Sequence, residues 1–334
     1  MRTTSNMLSN QYLTGYNQSL SQLSDIQQKI STSKDINKPS DDPVRIVRGL
    51  QFSGAANSNT MFSQNANDAI SWMKTSDSNI ISIQNVLTSI RTEVSKAISA
   101  GPASSYTTAA GIIDKAIDEL VQLGNADMGG RYIFGGQNDT TPPFTRNSDG
   151  TVSYNGTYDG QLKNPALPFN AITNPNVATA GTITMTISPG AADPLRDKVN
   201  VDGQALFGTI DTTSTPPNQP QIFKDLLKIK QDVLNGTTAA SGNAAVLTND
   251  LGTIDAASNQ VILAQSSIGA RQSAYQTIKD RLVDDSLTIA SDRSDNEDLD
   301  VAKASIDLQK AQNVYSAVLG VGARILPKSL LDYM

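Results

Sequence analysis

Apolar residues recur along most of this chain at alternating spacings of three and four, the signature of helices that each bury one stripe. From Val301 the positions Val301, Ala304, Leu308, Ala311, Tyr315, Val318, Gly322 and Ile325 follow the rule, and near the other end so do Leu13, Tyr16, Leu20, Leu23, Gln27 and Ile30. Neither helix can stand alone. Burying a large apolar side chain is worth about 1.5 to 3 kcal/mol, whereas fixing about 25 residues of backbone costs about 1 to 2 kcal/mol each. The two ends are therefore expected to pair with each other or with neighbouring copies. The terminal stripes are expected to be disordered in the monomer and to order only as subunits stack. From Val314 to Leu326 apolar residues fall on nearly every helical face, as expected of a helix surrounded by copies.

Between these ends the pattern predicts a palindrome of elements. Lys38-Pro39-Ser40-Asp41-Asp42-Pro43 reads as a helix start: Asp42 can cap, Pro43 suits the first helical position, and both carboxylates lie at the positive end of the dipole. The stripe that follows, from Phe52 through Ala66, Met73, Ile80, Leu87 and Val94 to Ala97, predicts a helix of about 70 Å that ends at Gly101-Pro102. Trp72 is expected at the edge of its seam. Ile113, Ala116, Leu120 and Leu123 mark a shorter helix, and Gly129-Gly130 stops it. From there to Pro220 the grammar changes. Ten of the fourteen prolines fall in this stretch, with β-prone runs at Arg131 to Phe134, Thr151 to Tyr154 and Thr182 to Ile187 and turn-rich linkers such as Asn174 to Gly181. Helices then return: a short one through Ile222, Leu226, Ile229 and Val233, and a long one from Leu247 to Ile289. The terminal stripe starts out of phase with the long one, which predicts a bend between Ser291 and Asp300.

The expected fold is mainly α with a small inserted β domain, a long antiparallel helical rod folded back on itself with the insert at its tip. Its expected parts are residues 1–42 (terminal helix and linker), 43–128 (first half of the rod), 129–220 (β-rich insert), 221–290 (second half) and 291–334 (last helix). Composition fits slender helices better than a thick globule. Of 334 residues only 5% are aromatic and 17% charged, with a single Trp. The net charge of −6 and the lack of any Lys/Arg cluster among aromatics argue against nucleic acid and against an anionic membrane surface. No apolar run reaches the length of a membrane span, and the first 30 residues lack the basic start and apolar core of a cleaved signal.

The chain contains neither Cys nor His. Thiolate nucleophiles, disulfides, the usual zinc ligands and the neutral-pH proton shuttle are therefore all missing. An enzyme would have to rely on Ser-Lys or paired carboxylates, and no supporting spacing occurs, so no catalytic, cofactor or metal residue is expected. Asp295, Glu297, Asp298 and Asp300 lack the glycine turn of a calcium loop and read as acids favouring the start of the last helix. Gly129-Gly130-Arg131-Tyr132-Ile133-Phe134-Gly135-Gly136 has the wrong spacing for a phosphate loop and reads as a strand flanked by turns. The sequons at Asn155 and Asn235 are compatible with ordinary turns.

Four segments carry a resemblance: Ile36 to Pro43, Gly130 to Gly136 followed by Thr141-Pro142-Pro143-Phe144, Glu297 to Asp300, and Ser329-Leu330-Leu331-Asp332-Tyr333. They resemble bacterial flagellin-family proteins, and the Lys-Pro-Ser-Asp-Asp-Pro and Gly-Arg-Tyr-Ile-Phe-Gly-Gly runs look most like the hook-filament junction members. The resemblance covers both helical ends and the start of the insert. It implies a secreted structural protein of the flagellum, exported unfolded by the flagellar type III route with a dedicated chaperone on the C-terminal helix. It also implies a homo-oligomeric ring, with a terminal coiled coil toward the axis, an adjacent junction protein on the hook side and flagellin on the filament side. The expected assembly interface is Leu13, Tyr16, Leu20, Leu23, Ile30, Val301, Leu308, Tyr315, Val318 and Ile325, with Asp41, Asp42 and Pro43 at the helix start. A minor filament flagellin, or a needle-tip or translocator protein of a related export system, is the alternative.

Overall fold

The computed structural model describes residues 2–100, 103–156, 182–188, 197–211, 217–236 and 243–325. The Gly101-Pro102 break, the Asn174 to Gly181 linker, the sequon threonines Thr157 and Thr237 and the Ser329 to Tyr333 ending lie outside the described residues. Helices dominate: α1 (Arg2–Thr32), α2 (Pro43–Ala100), α3 (Ala103–Gly124), α4 (Gly203–Phe207), α5 (Gln221–Asn235), α6 (Asn243–Glu297) and α7 (Val301–Ile325). The strands are short, β1 (Asp127–Met128), β2 (Arg131–Tyr132), β3 (Phe144–Arg146), β4 (Val152–Tyr154), β5 (Ile210–Asp211) and β6 (Gln219–Pro220). The fold is mainly α with a small β region inserted between helices. It divides into two compact units, Met61–Leu282 and the pair Met1–Thr60 with Val283–Met334.

The central unit, residues 61–282, has a closed core. Along α2 the predicted stripe is buried from Phe62 to Ala97, and Met73, Ile80, Ile83, Leu87, Ile90 and Val94 have no exposed surface. Ile113, Ile117 and Leu120 of α3, Ile222, Phe223 and Leu226 of α5, and Leu247, Val261 and Ile268 of α6 join the same cluster. Trp72 is not an edge residue. It is only 4% exposed, capped by the Arg131 guanidinium 5.7 Å from its ring, and Asp139 holds that guanidinium at 2.5 Å.

The β region consists of antiparallel pairs, β1 with β2, β3 with β4, and β5 with β6. Gly129 and Gly130 form the turn of the first hairpin with φ of 64° and 81°, values that glycine adopts without a Cβ clash. The glycine-rich run is thus a hairpin turn whose strand ends at Tyr132, short of the predicted Phe134. Thr182 to Ile187 forms no strand pair beyond an isolated bridge between Thr184 and Lys198. Both differences have one cause: Phe134 and Ile187 are buried in the core rather than alternating across a sheet face.

Aromatic rings tie this region to the helices. Phe144 lies 5.0 Å from Tyr154, 4.8 Å from Phe207 and 5.8 Å from Phe223, centroid to centroid. Asn125, just past α3, accepts from the Phe144 N–H at 2.8 Å and donates to the Phe144 carbonyl at 2.8 Å. The Tyr154 hydroxyl donates to the Phe134 carbonyl at 2.8 Å and accepts from the Gly203 N–H at 3.1 Å. A side chain at Gly203 would collide with the Tyr154 ring, so glycine is required by this close approach. Arg146 on β3 is gripped by Asp114 and Asp118 of α3, and Lys230 of α5 shares Asp114 at 2.7 Å.

Candidate assembly interface

The terminal unit is built from both ends of the chain. At the start of α2, Asp42 is the N-cap: its Oδ1 accepts from the N–H groups of Val44 and Arg45, each at 3.0 Å. Pro43 occupies the first helical position, where its missing N–H leaves no bond unmade. Asp41 serves the preceding turn instead, its Oδ2 accepting from Asn37 N at 3.1 Å and Lys38 N at 2.9 Å. Those two donors, Lys38 foremost, hold its carboxyl below the ordinary range.

The expected bend lies at residues 298–300, between α6 and α7, and there the chain from the C-terminal half pairs with the chain after α1. Asp35 N donates to the Glu297 carbonyl at 2.9 Å and Leu299 N to the Ser33 carbonyl at 3.1 Å. Arg45 closes this joint. Its guanidinium donates to the Asn296 carbonyl at 3.0 and 2.6 Å and to Asp35 at 2.7 Å, while Asn296 returns a bond to the Arg45 carbonyl at 2.9 Å. The bond from Arg45 is the main reason the Asp35 carboxyl is held below its ordinary value, with Lys29 assisting at 3.1 Å. Glu297 pairs with Lys34 at 2.9 Å. Asp298 accepts from Ser294 at 2.5 Å, and Asp300 caps α7 by accepting from Lys303 N at 3.0 Å. Of the acids read together at this bend, Asp300 alone caps the last helix, and Glu297 belongs to the joint. No group of three acidic side chains placed to hold a metal ion occurs among the described residues.

Beyond the joint α1 packs against α7 within the one chain. This corrects the expectation that the terminal stripes order only against neighbouring copies: each finds its first partner in the other. Tyr16 and Tyr315 meet at a centroid distance of 5.7 Å with their hydroxyls 3.2 Å apart. The hydrogen bond with Tyr16 pushes the Tyr315 phenol above its ordinary pKa. One turn away Tyr12 lies so close to Gly322 that any Cβ there would strike its hydroxyl.

The inner face of α7 follows the predicted stripe, with Ala304 and Gly322 buried and Leu308, Tyr315 and Val318 half-buried. On α1 the face is rotated from the prediction. Ser19 is its most buried member, Tyr16, Leu23 and Ile30 are half-buried, and Leu13 and Leu20 stand exposed at the edge. Val301 is exposed beside the cap, and the side chain of Ile325 lies outside the described residues. The rotation arises because Ser19, a small polar residue invisible to a hydrophobic pattern, lets the helices approach. On α7 a second set, Ile306, Val314, Leu319 and Val321, is exposed. An open groove of about 610 Å³ beside the pair is lined by Ile26, Ala304 and Ala311 and by both Lys29 and Asp307, so it offers no single-sign field for a charged small ligand.

Comparison with known proteins bears on this arrangement. Residues 4–139 match the bacterial flagellin N-terminal helical region. The matched stretch takes in α1, the capped start of α2, α3 and the first hairpin. Solved structures share the fold well beyond it. Flagellar hook-associated protein-3 of Legionella pneumophila is 15% identical with a TM-score of 0.57, the match covering 72% of this chain and 97% of that one. The flagellar junction protein FlgL from the same organism is 16% identical with a TM-score of 0.55, over 75% and 100% of the two chains. A Vibrio parahaemolyticus protein assigned as flagellar hook-associated is 16% identical with a TM-score of 0.60, over 77% and 100%. Comparison with curated protein sequences gives no match. Among the described residues no helix is long and apolar enough to cross a membrane.

Proposed function

We propose that this chain is a secreted structural component of the bacterial flagellum that joins hook to filament, acting as a ring of identical subunits. The carrying observation is the terminal helix pair. Its inner face is closed by Tyr16, Ser19, Ala304 and Tyr315, while Leu13, Leu20, Ile306, Val314 and Val321 remain in water. Large apolar side chains left exposed on both helices of a pair suit a surface that meets a protein partner. The match of residues 4–139 to the flagellin N-terminal helical region and the likeness in fold, over about three quarters of the chain, to hook-associated and junction proteins support the flagellum as the place of assembly.

In this reading an adjacent junction protein lies on the hook side and flagellin on the filament side, and α1 with α7 supplies the packing between subunits. A dedicated chaperone covers α7 before export, since the same apolar positions would otherwise meet water or one another in the cell. The chain needs no chemistry of its own. Deleting residues 301–334 tests the proposal: cells should keep hooks but shed flagellin into the medium, while the truncated protein retains a cooperative melt from its central unit. Normal filaments on such cells would overturn it. Purified full-length chain that grew into long tubes unaided would favour a filament flagellin instead.

A further inference from the structure

Two apolar strips in the terminal unit belong neither to the α1–α7 contact nor to the joint. On α2, Val44, Val47 and Leu50 recur every third residue, on the side away from Arg45 and Gly49, which face the joint. Leu50 is 68% exposed. On α6, Val283 and Leu287 lie one turn apart, and Leu287 is 67% exposed. Exposure on this scale means that neither strip covers the other within the chain.

The charges beside the two strips are opposite. Arg48 is exposed next to Val44 and Val47, and Asp284 is exposed between Val283 and Leu287. Neither takes part in an ion pair among the described residues, whereas Lys29, Lys34, Asp35, Arg45, Arg293 and Glu297 at the joint do.

We propose that these strips are the two halves of one contact between successive copies of this chain: Val44, Val47 and Leu50 of one copy pack on Val283 and Leu287 of the next, with Arg48 against Asp284. The inference rests on the reading that the chain assembles with itself and names the surfaces used. A two-fold dimer through either strip alone would set Arg48 near Arg48 or Asp284 near Asp284. Pairing unlike strips removes that repulsion, and with a different neighbour at each strip it leaves one free strip at each end of the series, the head-to-tail geometry that generates rings or helical rows.

Because the chain has no cysteine, the contact can be probed without background. Full-length V47C and L287C proteins are mixed at a concentration where the wild type sediments as oligomers, then oxidised. A cross-linked dimer should form in the mixture and not in either protein alone. In sedimentation, R48D or D284R should weaken self-association about tenfold, and the doubly reversed R48D/D284R chain should return to within about threefold of wild type. Unchanged circular dichroism melts separate lost contact from lost fold. Wild-type oligomers without the mixed cross-link would overturn the proposed surfaces and leave the ring reading intact. A wild-type chain that stays monomeric at every concentration would overturn both.

Discussion

Leu87 and Leu20 hold equivalent places in their helical stripes, yet Leu87 is fully buried and Leu20 is 42% exposed. The central unit surrounds its long helices: residues of α3, α5 and α6 close over the α2 stripe, and the aromatic group around Phe144 seals the β region. In the terminal unit, among the described residues, α1 and α7 pack chiefly on each other. A spacing of three and four therefore tells that a helix has an apolar face, and says nothing of how many sides are covered. In the first region apolar residues stabilise the fold they belong to. In the second much of their surface stays in water.

The sharpest way to break this contrast is to truncate a core ring. Phe144→Ala should cost about 3–5 kcal/mol in the central unit, read as a lowered midpoint in denaturant unfolding. A loss below about 1 kcal/mol would mean that the aromatic group is not the seal described here.

A smaller effect is expected from acid at the joint. Arg45 lowers the Asp35 pKa in the folded chain. Asp35 therefore contributes stability above its unfolded pKa of about 3.9, and that contribution is lost as pH falls through the lower folded value. Asp35→Asn should be less stable than wild type at pH 7, and the gap should narrow by pH 3. Parallel acid limbs in thermal melts of the two proteins would contradict the joint's ion pair. Its partial exposure keeps the effect modest.

The smallest effect on stability belongs to the outer face of α7. Ile306→Ser combined with Val321→Ser should change the melt by no more than about 0.5 kcal/mol, because both side chains already lie in water. The same pair should impair filament attachment in cells. Full attachment would show that this face is idle.

Much of the helical layout was legible in the sequence because long periodic stretches carry their own phase. The change of phase after Ile289 predicted a bend between Ser291 and Asp300, and the break falls within that span at residues 298–300, while Asp42-Pro43 marked where α2 starts. The β region was less legible. Its strands are two or three residues long, and Phe134 and Ile187 serve the core instead of a sheet, so alternation had nothing to register. The packing face of α1 was misread by one position because Ser19, not Leu20, lies innermost. Arg45 and Asn296 left no sequence signal, since the joint they close depends on residues far apart in the chain.

The joint also has a bearing on timing. Its two stretches of backbone come from Ser33 to Asp35 and from Glu297 to Leu299, and the whole central unit lies between them in the sequence. A chain emerging N-terminus first from a ribosome or a narrow conduit presents the earlier half of this clasp long before the later half exists. The clasp can close only once residues 297–299 have emerged, so this part of the fold is completed last.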